Sequence, residues 1–166
     1  MVVVNCTGNG AAKLCGDAAM VPTRGVTVKV RVPGIDHGSE HLDLSTVDPL
    51  YIIPRTDDVV VLGGTYGKGD MRPTVSSEEF GAIVSKCASL DPRLPYPLTE
   101  DDVEAVSVGW RPHRKGGVRL EAEVTDAGLL VVHNYGHGGA GVSLSWGCAG
   151  DVVKLVEAAF APKSRL

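Results

Sequence analysis

Residues 129–147 read Leu129-Leu130-Val131-Val132-His133-Asn134-Tyr135-Gly136-His137-Gly138-Gly139-Ala140-Gly141-Val142-Ser143-Leu144-Ser145-Trp146-Gly147. An apolar run that passes into glycines and then into a helical pattern is a strand delivering the chain to a helix start. The glycines place several backbone N–H groups at that start with no side chains in the way. Such a helix end attracts anions or partial negative charge. A flexible loop whose glycines only satisfy turn geometry fits the spacing equally well. Beyond the glycines, Val152, Leu155, Val156 and Phe160 form the expected apolar stripe of an amphipathic helix.

Working outward, strands are expected at Val118–Val124 and at Val103–Trp110. Before them a helix is expected to start at Ser76, with Glu79 completing a capping box. Its apolar stripe is Phe80, Ile83, Val84, Cys87 and Leu90, and Pro92, Pro95 and Pro97 end it. Leu50–Ile53 and Val59–Leu62 flank the polar turn Thr56-Asp57-Asp58 and read as a hairpin. Val26, Val28, Val30 and Val32 alternate with Thr27, Lys29 and Arg31, the pattern of a half-exposed antiparallel strand. Val2 to Cys6 reads as a buried strand closed by Thr7-Gly8, whose neighbours must come from elsewhere. The fold class is α+β: an antiparallel sheet with helices, flanked by two pieces of a parallel α/β layer. The expected division is 1–25, 26–117, 118–161 and a tail at 162–166.

The chain has 166 residues, one domain's worth or part of a larger protein. A net charge of −4 gives no pull toward nucleic acid or an anionic membrane. No apolar run is long enough to span a bilayer, and Met1–Val4 is too short and lacks the basic flank of a signal peptide. An intracellular protein is expected. Cys6, Cys15, Cys87 and Cys148 lie far apart and read as free thiols.

Three features invite a chemical reading. Gly8-Asn9-Gly10 follows a strand, but Lys13 stands where a dinucleotide fingerprint needs its third glycine. His133 and His137 have a zinc-like spacing, yet the glycines around His137 and the lack of a third ligand argue against metal. Arg111, fixed between Trp110 and Pro112, has the fork for bidentate capture of a carboxylate. A surface salt bridge is the commoner use of such an arginine.

Several stretches together resemble the D-amino-acid oxidase family, which includes the D-aspartate oxidases. They are VVVNCTG at 2–8, PTRGVTVKV at 22–30, YIIP at 51–54, VLGGTYGKGD at 61–70, WRPHRKGGVRLE at 110–121 and HNYGHGGAGVSLSWG at 133–147. The resemblance runs from Val2 to about Phe160 and corresponds to the family's C-terminal half. It implies FAD as cofactor, a D-amino acid as substrate and molecular oxygen as oxidant. It assigns the substrate carboxylate to Arg111 with help from the Tyr51 hydroxyl, and the substrate amine to the Gly139 carbonyl. Flavin contacts are implied for Thr7, Arg111, Gly138, Gly139, Gly141 and Ser143. No side chain serves as acid or base; catalysis rests on positioning and on the cofactor. A homodimer is compatible with the resemblance.

The sequence departs from the family in three places. The N-terminal half with its G-x-G-x-x-G loop is absent. Val47 stands where many members have a second tyrosine. Tyr66 stands where D-aspartate oxidases tend to place an arginine, which favours neutral substrates. The ending Ser164-Arg165-Leu166 is one conservative step from the peroxisomal S-K-L address, in keeping with a family that makes hydrogen peroxide. Two alternatives remain: a non-catalytic fragment, and an oxidase of glycine or N-methyl amino acids.

Overall fold

The computed structural model describes residues 1–41 and 48–161. Val47 and the tripeptide at 164–166 lie outside the described residues. The chain divides into two compact units, Thr23–Trp110 and a second made of Met1–Pro22 with the chain from Arg111 onward.

The Thr23–Trp110 unit is an antiparallel sheet covered by one helix. Its strands are β2 (Met20–Arg31, entering from the other unit), β3 (Ser39–His41), β4 (Leu50–Pro54), β5 (Val59–Gly63), β6 (Gly67–Lys68) and β7 (Val103–Arg114, leaving toward it). The order is β3-β4-β5-β2-β6, with β7 also pairing β2. Alternation along β2 does what its pattern requires: Val26, Val28 and Val30 are fully buried beside Ile52, Val60 and Leu62. The hairpin register pairs Ile52 with Leu62 and Tyr51 with Gly63.

Helix α2 (Ser77–Leu90) closes this core with Ile83, Val84 and Cys87. Burial pushes the Cys87 thiol up to about 11, so it is a neutral packing group. The capping box is only half made. Ser76 Oγ accepts from the Glu79 amide, but the Glu79 carboxylate turns to the buried Arg24 instead of back to the cap. Arg24 also donates to the carbonyls of Arg72 at 2.8 Å and Thr74 at 2.6 Å. A guanidinium that is 1% exposed must be paired and hydrogen-bonded, and this demand outranks the few tenths of a kcal/mol from completing a cap.

The second unit holds a three-stranded sheet, β1 (Val2–Asn5), β9 (Leu130–Tyr135) and β8 (Arg119–Val124), in the order β1-β9-β8. The β1–β9 pair is parallel and in register from Val2↔Leu130 to Asn5↔His133. A 3-10 turn (Gly8–Gly10), the short α1 (Ala11–Leu14) and the long α3 (Gly141–Phe160) complete it.

Two sequence expectations fail here. Val3 and Val4, which point to opposite faces of the sheet, are exposed and only Asn5 of β1 is buried; among the described residues β1 also pairs on one side alone. Phe160, at the edge of the stripe formed by Val152, Leu155 and Val156, is not covered along with it. At 100° per residue it lies about 90° round from the middle of that stripe, beside Val142, Trp146 and Val153, and all four are exposed. Trp146 is 90% exposed. An exposed apolar stripe of this breadth, running the length of a helix, is a surface suited to contact with another apolar surface. We therefore expect the 166-residue chain to self-associate through this stripe. Trp146→Lys should shift it toward monomer in size-exclusion chromatography with light scattering, at little cost to thermal stability.

Candidate functional site

Because β1 and β9 run parallel, both deliver their carboxyl ends to one edge of the sheet, where ligands of parallel sheets commonly sit. Each strand continues into a glycine-containing turn, and the end of β7 lies against both turns. Gly8, at φ 55°, faces Pro112: a side chain added there would meet the proline ring carbon at 3.5 Å. The same construction at Gly139 meets Arg111 Cδ at 3.7 Å, at Gly138 the His113 ring and at Gly136 the Arg114 side chain. A backbone bridge pairs His113 with His137.

These contacts sort the loop glycines into two kinds. Gly136 and Gly138 have φ of 89° and 59°, and an added Cβ would come within 2.7 Å of Arg114 Cβ and His113 Cε1. The chain's own packing demands glycine there. Gly139 and Gly141 lack the left-handed backbone, and an added Cβ would make only ordinary contacts, with Arg111 Cδ at 3.7 Å and His137 Cβ at 3.6 Å. Nothing in the described protein requires glycine at these two positions.

Helix α3 starts at Gly141 with Ala140 at its cap and no side-chain cap hydrogen bond. The first-turn amides, including that of Ser143, therefore lack the usual side-chain acceptor. The donor set suits a flat group that presents acceptor atoms or negative charge at its edge, as a flavin ring does. Thr7 closes β1 with its amide and hydroxyl both donating to Asn5 Oδ1, at 3.1 and 2.7 Å.

With Asn5 Oδ1 taken by Thr7, its Nδ2 is the donor, to His133 Nδ1 at 3.2 Å and Cys15 Sγ at 3.0 Å. His133 then carries its proton on Nε2, facing Glu123 Oε2 at 3.2 Å. Both ring nitrogens are engaged, and through Asn5 His133 supports the turn at Thr7. Sequence reading named Thr7, Arg111 and the glycine loop at this edge but missed Asn5, Pro112 and His113 as parts of it.

The β7 end is held from behind. Asp17 Oδ2 accepts from Arg114 Nε and from Tyr135 Oη, both at 2.8 Å, and Arg119 Nη1 donates to the same phenol at 3.0 Å. The Arg114 guanidinium, with the Tyr135 hydroxyl, holds the Asp17 carboxyl down at about 2, below its ordinary 3.8.

Tyr51 lies in the other unit. Its phenol lies flat over the position of the missing Gly63 side chain on the neighbouring strand, and its OH reaches the same space at Gly64. Tyr66 lines a cavity of about 290 Å³ in that unit with Arg24, Asp70 and Arg72. The arginines there are committed, Arg24 as described and Arg72 to Asp70.

The chain matches the family model described as FAD dependent oxidoreductase over residues 1–155, and it belongs to that family. It is 41% identical over 154 residues to a D-amino-acid oxidase of Streptomyces coelicolor, covering 93% of this chain and 46% of that protein. A D-amino acid oxidase of Dugesia ryukyuensis is 37% identical over 163 residues, covering 93% and 45%. The human D-aspartate oxidase is 38% identical over 158, covering 93% and 43%. The fold is similar to a glycine oxidase structure from Geobacillus kaustophilus, with a TM-score of 0.73, 26% identity, and coverage of 95% of this chain and 41% of that one. The chain thus spans a little under half the length of these relatives.

Two outcomes follow for stability. Asp17 has a lowered folded pKa, so its contribution is complete above about pH 4 and is lost as pH falls toward 2. Asp17→Asn should cost about 2 kcal/mol near neutrality and flatten the acid limb of a pH-dependent thermal melt over that window. By the sorting of the glycines, Gly138→Ala should lower the melting temperature, whereas Gly141→Ala should leave it unchanged or raise it.

Proposed function

We propose that this chain is the flavin-ring and substrate side of an FAD-dependent oxidase of neutral D-amino acids, forming 2-oxo acids, ammonia and hydrogen peroxide. One observation carries the reading: the Arg111 stem packs against Gly139. A guanidinium carried beside an open stretch of backbone suits the two polar ends of an α-amino acid, and this reading gives the carboxylate to Arg111 and the amine to the Gly139 oxygen.

In this reading FAD, when bound, supplies the redox chemistry, taking the α-hydrogen as hydride and passing the electrons to oxygen. The protein's part is placement. Arg111 fixes the carboxylate and Gly139 the amine, with no side chain moving a proton. Bare backbone at Gly138, Gly139 and Gly141 gives the ring access. The amides from Gly141 to Ser143 favour negative charge on it, and Thr7 contributes from the β1 turn. The D-amino-acid oxidase relatives support the substrate class, and the D-aspartate oxidase among them makes acidic substrates the competing choice. Tyr66, and the engagement of Arg24 and Arg72 by carboxylates, favour neutral side chains. The tripeptide Ser164-Arg165-Leu166 supports a peroxisomal address, which a fluorescent fusion carrying these residues tests.

Arg111→Leu, in a polypeptide completed to the relatives' length, should lower kcat/KM on D-alanine at least 100-fold, from loss of a charge-assisted fork to the substrate carboxylate worth about 3 kcal/mol. Near-normal turnover would refute the assignment. The 166-residue chain alone should bind FAD more weakly than micromolar and turn over D-alanine barely, because it holds no complete phosphate-cradling loop. Equilibrium dialysis with peroxide detection measures both.

A further inference from the structure

We propose that His113 is the positioning residue of the flavin-side loop, its imidazole standing in for the side chain that Gly138 lacks. The inference rests on the reading that this loop faces a flavin.

A Cβ built on Gly138 would lie 2.7 Å from His113 Cε1, 2.8 Å from Nδ1 and 3.2 Å from Nε2. Three atoms of one ring edge at such distances mean that the imidazole sits directly on the Gly138 backbone. The contact is one rung of three. Arg111 lies on Gly139, His113 on Gly138 and Arg114 on Gly136, so the β7 end descends as the loop ascends. The backbone bridge between His113 and His137 fixes the middle of this ladder. Its lower end is tied by Arg114 to Asp17 and to the Gly117 carbonyl.

Of the three rungs, only His113 brings a flat, stiff ring; the other two are flexible arginine stems. A loop in which four of six residues are glycine (136–141) has few side chains of its own to limit its backbone, so much of its shape must be imposed from outside. His113 imposes it between Gly136, whose left-handed turn ends β9, and Gly139, where the proposed ligand contacts begin. Removing the ring leaves the β7 end anchored through Arg114 and frees the loop above it. Ligand affinity should then suffer more than folding.

The test is flavin-fluorescence titration of the 166-residue chain with FAD, up to millimolar, beside thermal melts of the same samples. His113→Ala should weaken FAD binding at least 10-fold while moving the melting temperature by only a few degrees. His113→Phe, which restores a planar ring, should bind within about 3-fold of wild type. If His113→Ala does not fold, His113→Val, which fills the space only in part, takes its place with the same expectation. Unchanged affinity in the Ala or Val variant, or a Phe variant as weak as Ala, overturns the inference and leaves the proposed function intact. If the wild-type chain binds no FAD even at millimolar concentration, the same variants are compared in the polypeptide completed to the relatives' length, where equal FAD affinity of His113→Ala and wild type overturns the inference.

Discussion

Backbone can lie against a neighbouring strand's side chains only where no Cβ intervenes, and the edge described above depends on that constraint. At Gly136 and Gly138 the loop has surrendered its side chains to the end of β7, whose Arg114 and His113 occupy the vacated space. The exchange fixes a segment that glycine composition alone would leave loose. It also places the one arginine with a functional reading, Arg111, against a stretch of loop where glycine is not required by packing. Structural and functional glycines thus stand next to each other in one short segment, distinguished by backbone angle and by what an added methyl would touch.

Charge is used in both units to hold backbone. In one, the buried Arg24 gathers the carbonyls of Arg72 and Thr74 and the Glu79 carboxylate, organising the connection that leads into α2. In the other, Asp17 ties Arg114 and Tyr135 together. Both are cases in which an ion removed from water must find several partners, so each fixes more than one segment. Neither group lies among the residues proposed to touch substrate. They set the places from which those residues act.

The outer face of α3 and the free side of β1 tell of a surface built to be covered. Parallel strands are ordinarily buried on both faces, and a helix with a broad exposed apolar stripe is suited to contact with another apolar surface. The relatives are more than twice as long as the matched region, in keeping with both observations.

The sequence by itself determined the elements. Period-two alternation at Val26–Val32 and the 3.6-residue stripe from Phe80 to Leu90 each specify a local shape and the face to be buried, so β2 and α2 were legible without coordinates. The motifs around Arg111 and Gly136–Gly141 likewise marked the edge where chemistry is proposed. Only tertiary structure decided which groups meet. Glu79 abandons its local cap for Arg24, 55 residues earlier in the chain, and Asp17 finds Tyr135 across 118. His113 comes to lie on Gly138 with no sequence signal at all. Local pattern carries the short-range terms, backbone propensity and the side to be buried. Partner choice by a buried charge, or by a ring against a bare backbone, is settled between distant segments by desolvation and excluded volume, which no window of sequence contains.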